Sequence, residues 1–172
     1  MSRRPSRPLV IGIGNPDRGD DAAGRLVAQL LRNLLPDDQA SGGIEIVESG
    51  GEATGLLERL DGADHVFLVD ACASGAAPGS IHRFDAGTGP LPQDLGGFSS
   101  HGFGPAAAVE LARSLGRLPP RCIVYAVEGA DFAPGATLSG AVAAAVPVLA
   151  ARLRDELTAT LAGQEMPCTR PR

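Results

Sequence analysis

The sequence predicts an α/β protein, a three-layer αβα sandwich around a mostly parallel sheet of about five strands. Short apolar runs alternate with segments of helical period along most of the chain. The connections between them are mostly too short to hold another domain, which favours right-handed strand–helix–strand crossovers between parallel neighbours. The 172 residues suit a single core, since domains cluster near ~100–150 residues.

Each element follows from its own pattern. Residues 9–13, LVIGI, form a short apolar run ending in a turn glycine and read as a buried strand. A helix follows over 20–35, with apolar residues at Ala23, Val27, Leu30, Leu31 and Leu34. Residues 44–49 read as a second strand and 52–60 as a short helix. The run HVFLVD, 65–70, is apolar on both faces and predicts a central strand. Residues 80–84 predict a strand nearer an edge, 104–115 a helix and 121–127 a strand. The last helix spans 139–161, interrupted or kinked at Pro147, which lacks the N–H a helix interior uses. Residues 1–8 read as a disordered Arg- and Pro-rich arm, 9–162 as the single domain, and 163–172 as a flexible tail. The long glycine-rich connection over 85–100 runs into His101, and long connections in compact domains tend to carry function.

Composition removes several function classes. All 15 basic residues are arginines, so no lysine serves as Schiff base, general base or P-loop cation. A net charge of -5 without a basic stripe argues against nucleic acid and anionic membrane surfaces as partners. The arginines near the start precede an apolar run too short for a signal peptide, and no stretch approaches the roughly 18–20 apolar residues of a membrane span. Cys72, Cys122 and Cys168 are odd in number and form no CxxC pair, so neither a disulfide framework nor a thiolate zinc site is indicated. The chain reads as cytoplasmic, and no heptad or apolar stripe asks for more than a monomer.

The stretch GIGNPDRGDD, Gly12 to Asp21, begins like a dinucleotide-binding loop. Asp17 stands where the third glycine belongs, and Asp17, Asp20 and Asp21 face only Arg18, which repels a pyrophosphate. No GK[ST] is present either. What remains is a tandem acid at a helix start. Asp20 fits an N-cap and Asp21 a first helical residue serving the macrodipole. One acid suffices for capping, which leaves the second free to face the crevice at the carboxyl ends of the strands.

Asp70 closes the most apolar strand, and His101 stands just ahead of a helix. In a parallel sheet Asp21, Asp70 and His101 share the carboxyl edge. Two carboxylates and an imidazole make an incomplete shell suited to nickel, zinc, iron or cobalt, with positions left for a substrate. Asp70 as a turn residue and His101 as a helix cap are the simpler readings beside it. His65, before a strand, and His82, within one, match no paired-ligand motif.

Taken together, LVIGIGNPDRGDDAAGRLVAQLL, VFLVDACASGAAPGSI, FSSHGFG and VEGADFAPGATLSGAV, in this order, resemble the hydrogenase maturation endopeptidases, over roughly residues 9–161. That family clips a C-terminal extension from the large subunit of NiFe hydrogenases. The resemblance implies an αβα sandwich, a hydrogenase large-subunit precursor as partner, and nickel presented by that substrate, with no organic cofactor. It also places the metal-recognition and catalytic site on Asp21, Asp70 and His101, the residues position had singled out. Gly14, Asn15, Glu48, Gly50 and Gly51 are expected to contact substrate. The family's second acid is often glutamate, here Asp21, and its acid-Gly-Gly-Thr motif reads ESGGEATG, which loosens the alignment at Glu48.

Three competing readings stand beside it. A serine hydrolase needs GxSxG, and no serine sits in one. A thiol hydrolase would use Cys72, two residues after Asp70. A non-catalytic module that binds the precursor and senses its nickel would use the same three ligands.

Overall fold

The computed structural model describes residues 7–37, 43–92 and 104–165. Its sheet contains β1 (Leu9–Ile13), β2 (Glu45–Ser49), β3 (His65–Cys72), β4 (Ile81–Asp85) and β5 (Arg121–Glu128). The helices among the described residues are α1 (Ala23–Leu34), α2 (Ala53–Leu60), α3 (Pro105–Ser114) and α4 (Gly140–Glu165), and a 3-10 turn, Gly19–Ala22, leads into α1.

The spatial order is β2-β1-β3-β5-β4. Strands β2, β1, β3 and β5 are parallel, and β4 closes the edge antiparallel to β5. β3 takes the centre, as its two-faced apolar pattern requires; every residue of it after His65 is buried. It runs two residues past the expected end because Ala71 and Cys72 still pair with Val127 and Glu128 of β5.

Alternation along β3 splits the core in two. Phe67, Val69 and Ala71 pack with Val27 and Leu31 of α1 and Val142, Leu149 and Leu153 of α4. On the opposite face Val66, Leu68 and Cys72 pack with Leu56 and Leu60 of α2 and Ala108, Val109 and Ala112 of α3. These are the three layers expected. α1 sits directly on the sheet: a Cβ on Gly24 would lie 2.2 Å from the Val69 carbonyl oxygen and 2.3 Å from that of Ile13. Only glycine permits that approach, and it fixes where the loop before α1 lies.

α4 continues through Pro147 to Glu165, beyond the expected domain end at 162. Pro147 and Ala143, the residue whose carbonyl loses its helical partner, both face solvent, where water replaces the bond. Glu156 ties this helix to the sheet, accepting from Tyr125 Oη at 2.6 Å, Arg121 at 3.0 Å and Arg83 at 2.5 Å. Near the other terminus the Pro8 carbonyl accepts the Glu45 N–H at 2.9 Å and Arg7 pairs with Glu45 at 2.8 Å. Among the described residues no helix is long and apolar enough to cross a membrane.

Candidate functional site

The carboxyl ends of the parallel strands share one edge, and the loops after β1, β2 and β5 meet there. Gly14 turns the chain out of β1 at φ +145°, and a Cβ on it would lie 1.8 Å from the Asp21 carbonyl oxygen. The turn therefore folds tightly against the acid pair. Its Asn15 N–H donates to Asp21 Oδ2 at 3.0 Å, and Asn15 Oδ1 accepts from the Asp17 N–H at 2.9 Å. The Gly14 N–H donates to the Ser49 carbonyl at 3.1 Å, and Ser49 Oγ accepts the Gly51 N–H at 3.1 Å. Gly14, Asn15, Gly50 and Gly51 are thereby gathered at the same edge, with Asn15 and Gly50 exposed.

The two acids divide their work differently from the expectation. Asp20 does not cap its own helix; no side-chain cap bond is found at α1 or at the 3-10 turn. It is fully buried, and its carboxylate accepts the N–H groups of Ala130 at 2.7 Å, Asp131 at 3.1 Å and Ser139 at 2.7 Å. The 3-10 geometry turns the side chain away from the helix end and towards the loop between β5 and α4. Burial works to raise its pKa, but the bonds from Ala130, Ser139 and Asp131 prevail and hold it below the usual carboxylate value. Asp20 is thus a clamp on residues 129–139, reinforced by Arg18 Nε donating to the Phe132 carbonyl at 3.1 Å.

Asp21 is left partly exposed. Asp70 lies at the end of β3, beside Ala126 of β5, and is 1 % exposed. Its Oδ1 accepts the N–H of Ala71 at 2.8 Å, while Oδ2, equally buried, has no hydrogen-bond partner. Burial pushes its pKa well above the carboxylate range; the bond from Ala71 opposes this, and the nearby charge of Asp21 adds to it. An unpaired buried carboxyl oxygen costs stability, and no hydrogen bond among the described residues offsets that cost at Asp70 Oδ2.

His101 lies outside the described residues, four positions before Pro105 opens α3. Glu48 is not brought to Asp21 and Asp70. It stands opposite Gly12 in β2, and its carboxylate accepts from Arg25 Nε at 3.0 Å, Arg32 Nη1 at 2.6 Å and Gln29 Nε2 at 3.1 Å, all from α1. Burial raises its pKa, and these donors more than offset it, leaving it below the ordinary value.

Sequence reasoning missed one group on the α2/α3 face of the sheet. Cys72, His82 and Glu128 converge there, and Glu128 is 1 % exposed. The signal was present: Glu128 closes the apolar strand β5 as Asp70 closes the apolar part of β3. The Cys72 thiol is pushed up to about 12, by burial first and then by its bond to Glu128, a state unlike that of an activated nucleophile.

Fold and site together define an α/β protein with a buried acid, Asp70, and a partly exposed one, Asp21, at the carboxyl edge of its parallel strands. A family model described as HycI, hydrogenase maturation protease, matches residues 25–156, and the chain belongs to that family. The hydrogenase expression/formation protein HupD of Thiocapsa roseopersicina is 29% identical over 127 residues, which is 72% of this chain and 55% of HupD. The chain thus spans about half the length of that curated relative. Among solved structures, the hydrogenase maturating endopeptidase HybD from E. coli aligns with a TM-score of 0.72 at 25% identity, covering 90% of this chain and 93% of HybD. The NiFe hydrogenase maturation protease HycI from Thermococcus kodakarensis aligns with a TM-score of 0.66 at 24% identity, covering 89% and 93% of the two chains, and shares the fold.

Proposed function

We propose that this chain is an endopeptidase that removes the C-terminal extension of a NiFe-hydrogenase large-subunit precursor. It acts in the cytoplasm as a monomer and recognises the nickel the precursor carries through Asp21, Asp70 and His101. Membership of the maturation protease family supports the proteolytic activity and the precursor as substrate. The observation that carries the metal-reading role is Asp70 Oδ2, buried, without a partner and facing the charge of Asp21.

The chemistry follows from that state. A divalent ion held by the precursor's own thiolates arrives with open positions, and oxygen donors complete them. A cation beside Asp70 favours the charged carboxylate that burial alone disfavours. Without the ion, docking leaves Asp70 Oδ2 buried with no partner, so an unloaded precursor lacks the contact that a loaded one makes. The substrate metal polarises the scissile carbonyl or a water, and a carboxylate not engaged by it accepts the water proton. At this edge Asn15 and Gly50 are the exposed residues that an extended peptide would meet, while the N–H groups of Gly14, Asn15 and Gly51 are already bonded within the protein. Glu48, already held by three α1 donors, supports the loop after β2 from behind.

The test is cleavage of purified cognate precursor, loaded or free of nickel, followed by intact mass. Loss of the extension only from the loaded form, abolished by His101→Ala, is the expected result. A loaded cognate precursor left whole by a folded wild-type protein would overturn the proposal and favour a non-catalytic nickel sensor.

A further inference from the structure

Three potential metal donors from three adjacent strands meet in a set that shares no residue with the Asp21–Asp70 pair. Cys72 ends β3 directly opposite Glu128 at the end of β5, and His82 lies on β4 opposite Ala126, one same-face position from Glu128. Cys72 Sγ stands 3.2 Å and His82 Nε2 3.4 Å from Glu128 Oε2. The ligand atoms of the three residues all lie within 4.8 Å of one another. Two donors bound to one tetrahedral zinc at about 2.0–2.3 Å stand roughly 3.3–3.6 Å apart, close to the two distances from Glu128 Oε2.

The surroundings are those of supported ligands. Glu128 Oε1 accepts the N–H groups of Ser74 at 2.7 Å and Gly75 at 3.0 Å, which fixes the carboxylate and leaves Oε2 aimed at the thiol and imidazole. Ser74 Oγ donates to Oε2 at 2.7 Å, holding the same orientation. His82 Nε2 is buried and has no hydrogen-bond partner. As a neutral acceptor it would face another acceptor at 3.4 Å, and only a proton on the ring or a cation between the two relieves that contact.

We propose that Cys72 Sγ, His82 Nε2 and Glu128 Oε2 form a second metal site, of mixed sulfur, nitrogen and oxygen donors, that takes zinc or a neighbouring late first-row divalent ion. The set is soft enough for such an ion, too small and sulfur-rich for calcium or magnesium, and leaves a fourth position for water. On binding, the Cys72 S–H bond breaks, the proton passes to bulk buffer, and the lone pair of Oε2 that now accepts the thiol turns to the metal. The site is separate in donors from the carboxyl edge and does not depend on the proposed peptidase reading. Its position gives it a role: Glu128 precedes the loop that Asp20 clamps, and the Gly129 N–H donates to the Cys72 carbonyl at 2.9 Å. A metal here joins the ends of β3, β4 and β5 and steadies the start of that loop.

Cobalt(II) titration of the chelator-stripped full chain tests this, because a thiolate-to-cobalt charge-transfer band reports sulfur ligation and the Asp21–Asp70 pair has none. The expected result is a near-ultraviolet charge-transfer band with visible tetrahedral bands. Cys72→Ser removes the former, His82→Ala weakens binding at least tenfold, and Cys168→Ser or Asp70→Asn changes neither. If Cys72→Ser does not fold by circular dichroism, His82→Ala decides. No band in the folded wild type, a band that survives Cys72→Ser or is unmoved by His82→Ala, or one lost with Cys168→Ser or Asp70→Asn overturns the proposal.

Discussion

Replacing Asp20 tests the loop clamp most sharply. Its carboxylate serves three backbone donors, from Ala130, Asp131 and Ser139, and no other side chain among the described residues accepts them. Asp20→Ala strips all three at once, and each donor left unpaired in a buried setting costs about 1–3 kcal/mol. Ala130 and Asp131 belong to an exposed stretch, so their N–H groups regain water when the loop lifts, whereas Ser139 is half-buried. The penalty therefore appears as local opening of 129–139, at about 2–4 kcal/mol, and not as the full sum. At ~1.4 kcal/mol per decade this is roughly a 30- to 700-fold loss of hydrogen-exchange protection for the loop amides. Asp20→Asn gives a smaller loss, since its amide oxygen can keep the bonds from Ala130 and Asp131 while its NH2 faces the Ser139 N–H. Because the folded pKa is depressed, the clamp contributes fully above the unfolded value of 3.8 and is lost as pH falls through the folded pKa. Exchange followed by mass spectrometry on the peptide covering 129–139 reads the effect directly. Protection within twofold of wild type in both variants would refute the clamp.

The other predictions concern single groups. Asp70 has a raised folded pKa, so it destabilises the fold above that pKa and the penalty fades as pH falls through it; Asp70→Asn should raise the urea midpoint at pH 7 and lose that advantage towards pH 4. An unchanged difference across that range would count against a strained acid. Gly14→Ala places a Cβ 1.8 Å from the Asp21 carbonyl oxygen at φ +145°, and should cost about 2–4 kcal/mol in chemical denaturation, with refolding of the turn the only escape. Glu48→Gln weakens three α1 contacts and should cost about 1–2 kcal/mol, less at high salt. Cys72, with its thiol pushed up to about 12, should resist iodoacetamide in the native metal-free protein at pH 8 and react on unfolding; rapid native alkylation at that residue, located by peptide mass, would revive a thiol nucleophile.

The architecture was legible because each strand announces itself by burial. The run HVFLVD could lie nowhere but the centre, and the mixed SIHRF nowhere but near an edge, which is where β3 and β4 lie. Asp70 was legible for the same reason, as a charge ending a run that is otherwise apolar. Asp20 was misread because a tandem acid before a helix looks locally like a cap, and its true partners lie more than a hundred residues downstream. No local pattern carries that information. The same limit hid the meeting of Cys72, His82 and Glu128, three residues whose neighbourhood exists only through the β3-β5-β4 order. At Pro147 the helix is not interrupted, because the proline and its orphaned carbonyl face water.

The central claim is that Asp21 and Asp70 read nickel carried by the precursor. The most direct measurement is nickel X-ray absorption on a loaded precursor made uncleavable at its scissile bond, alone and with one equivalent of this protein. The account predicts added oxygen or nitrogen scatterers around the nickel in the complex, lost with Asp70→Asn while the precursor still binds. A nickel spectrum unchanged by a complex shown to have formed would contradict it.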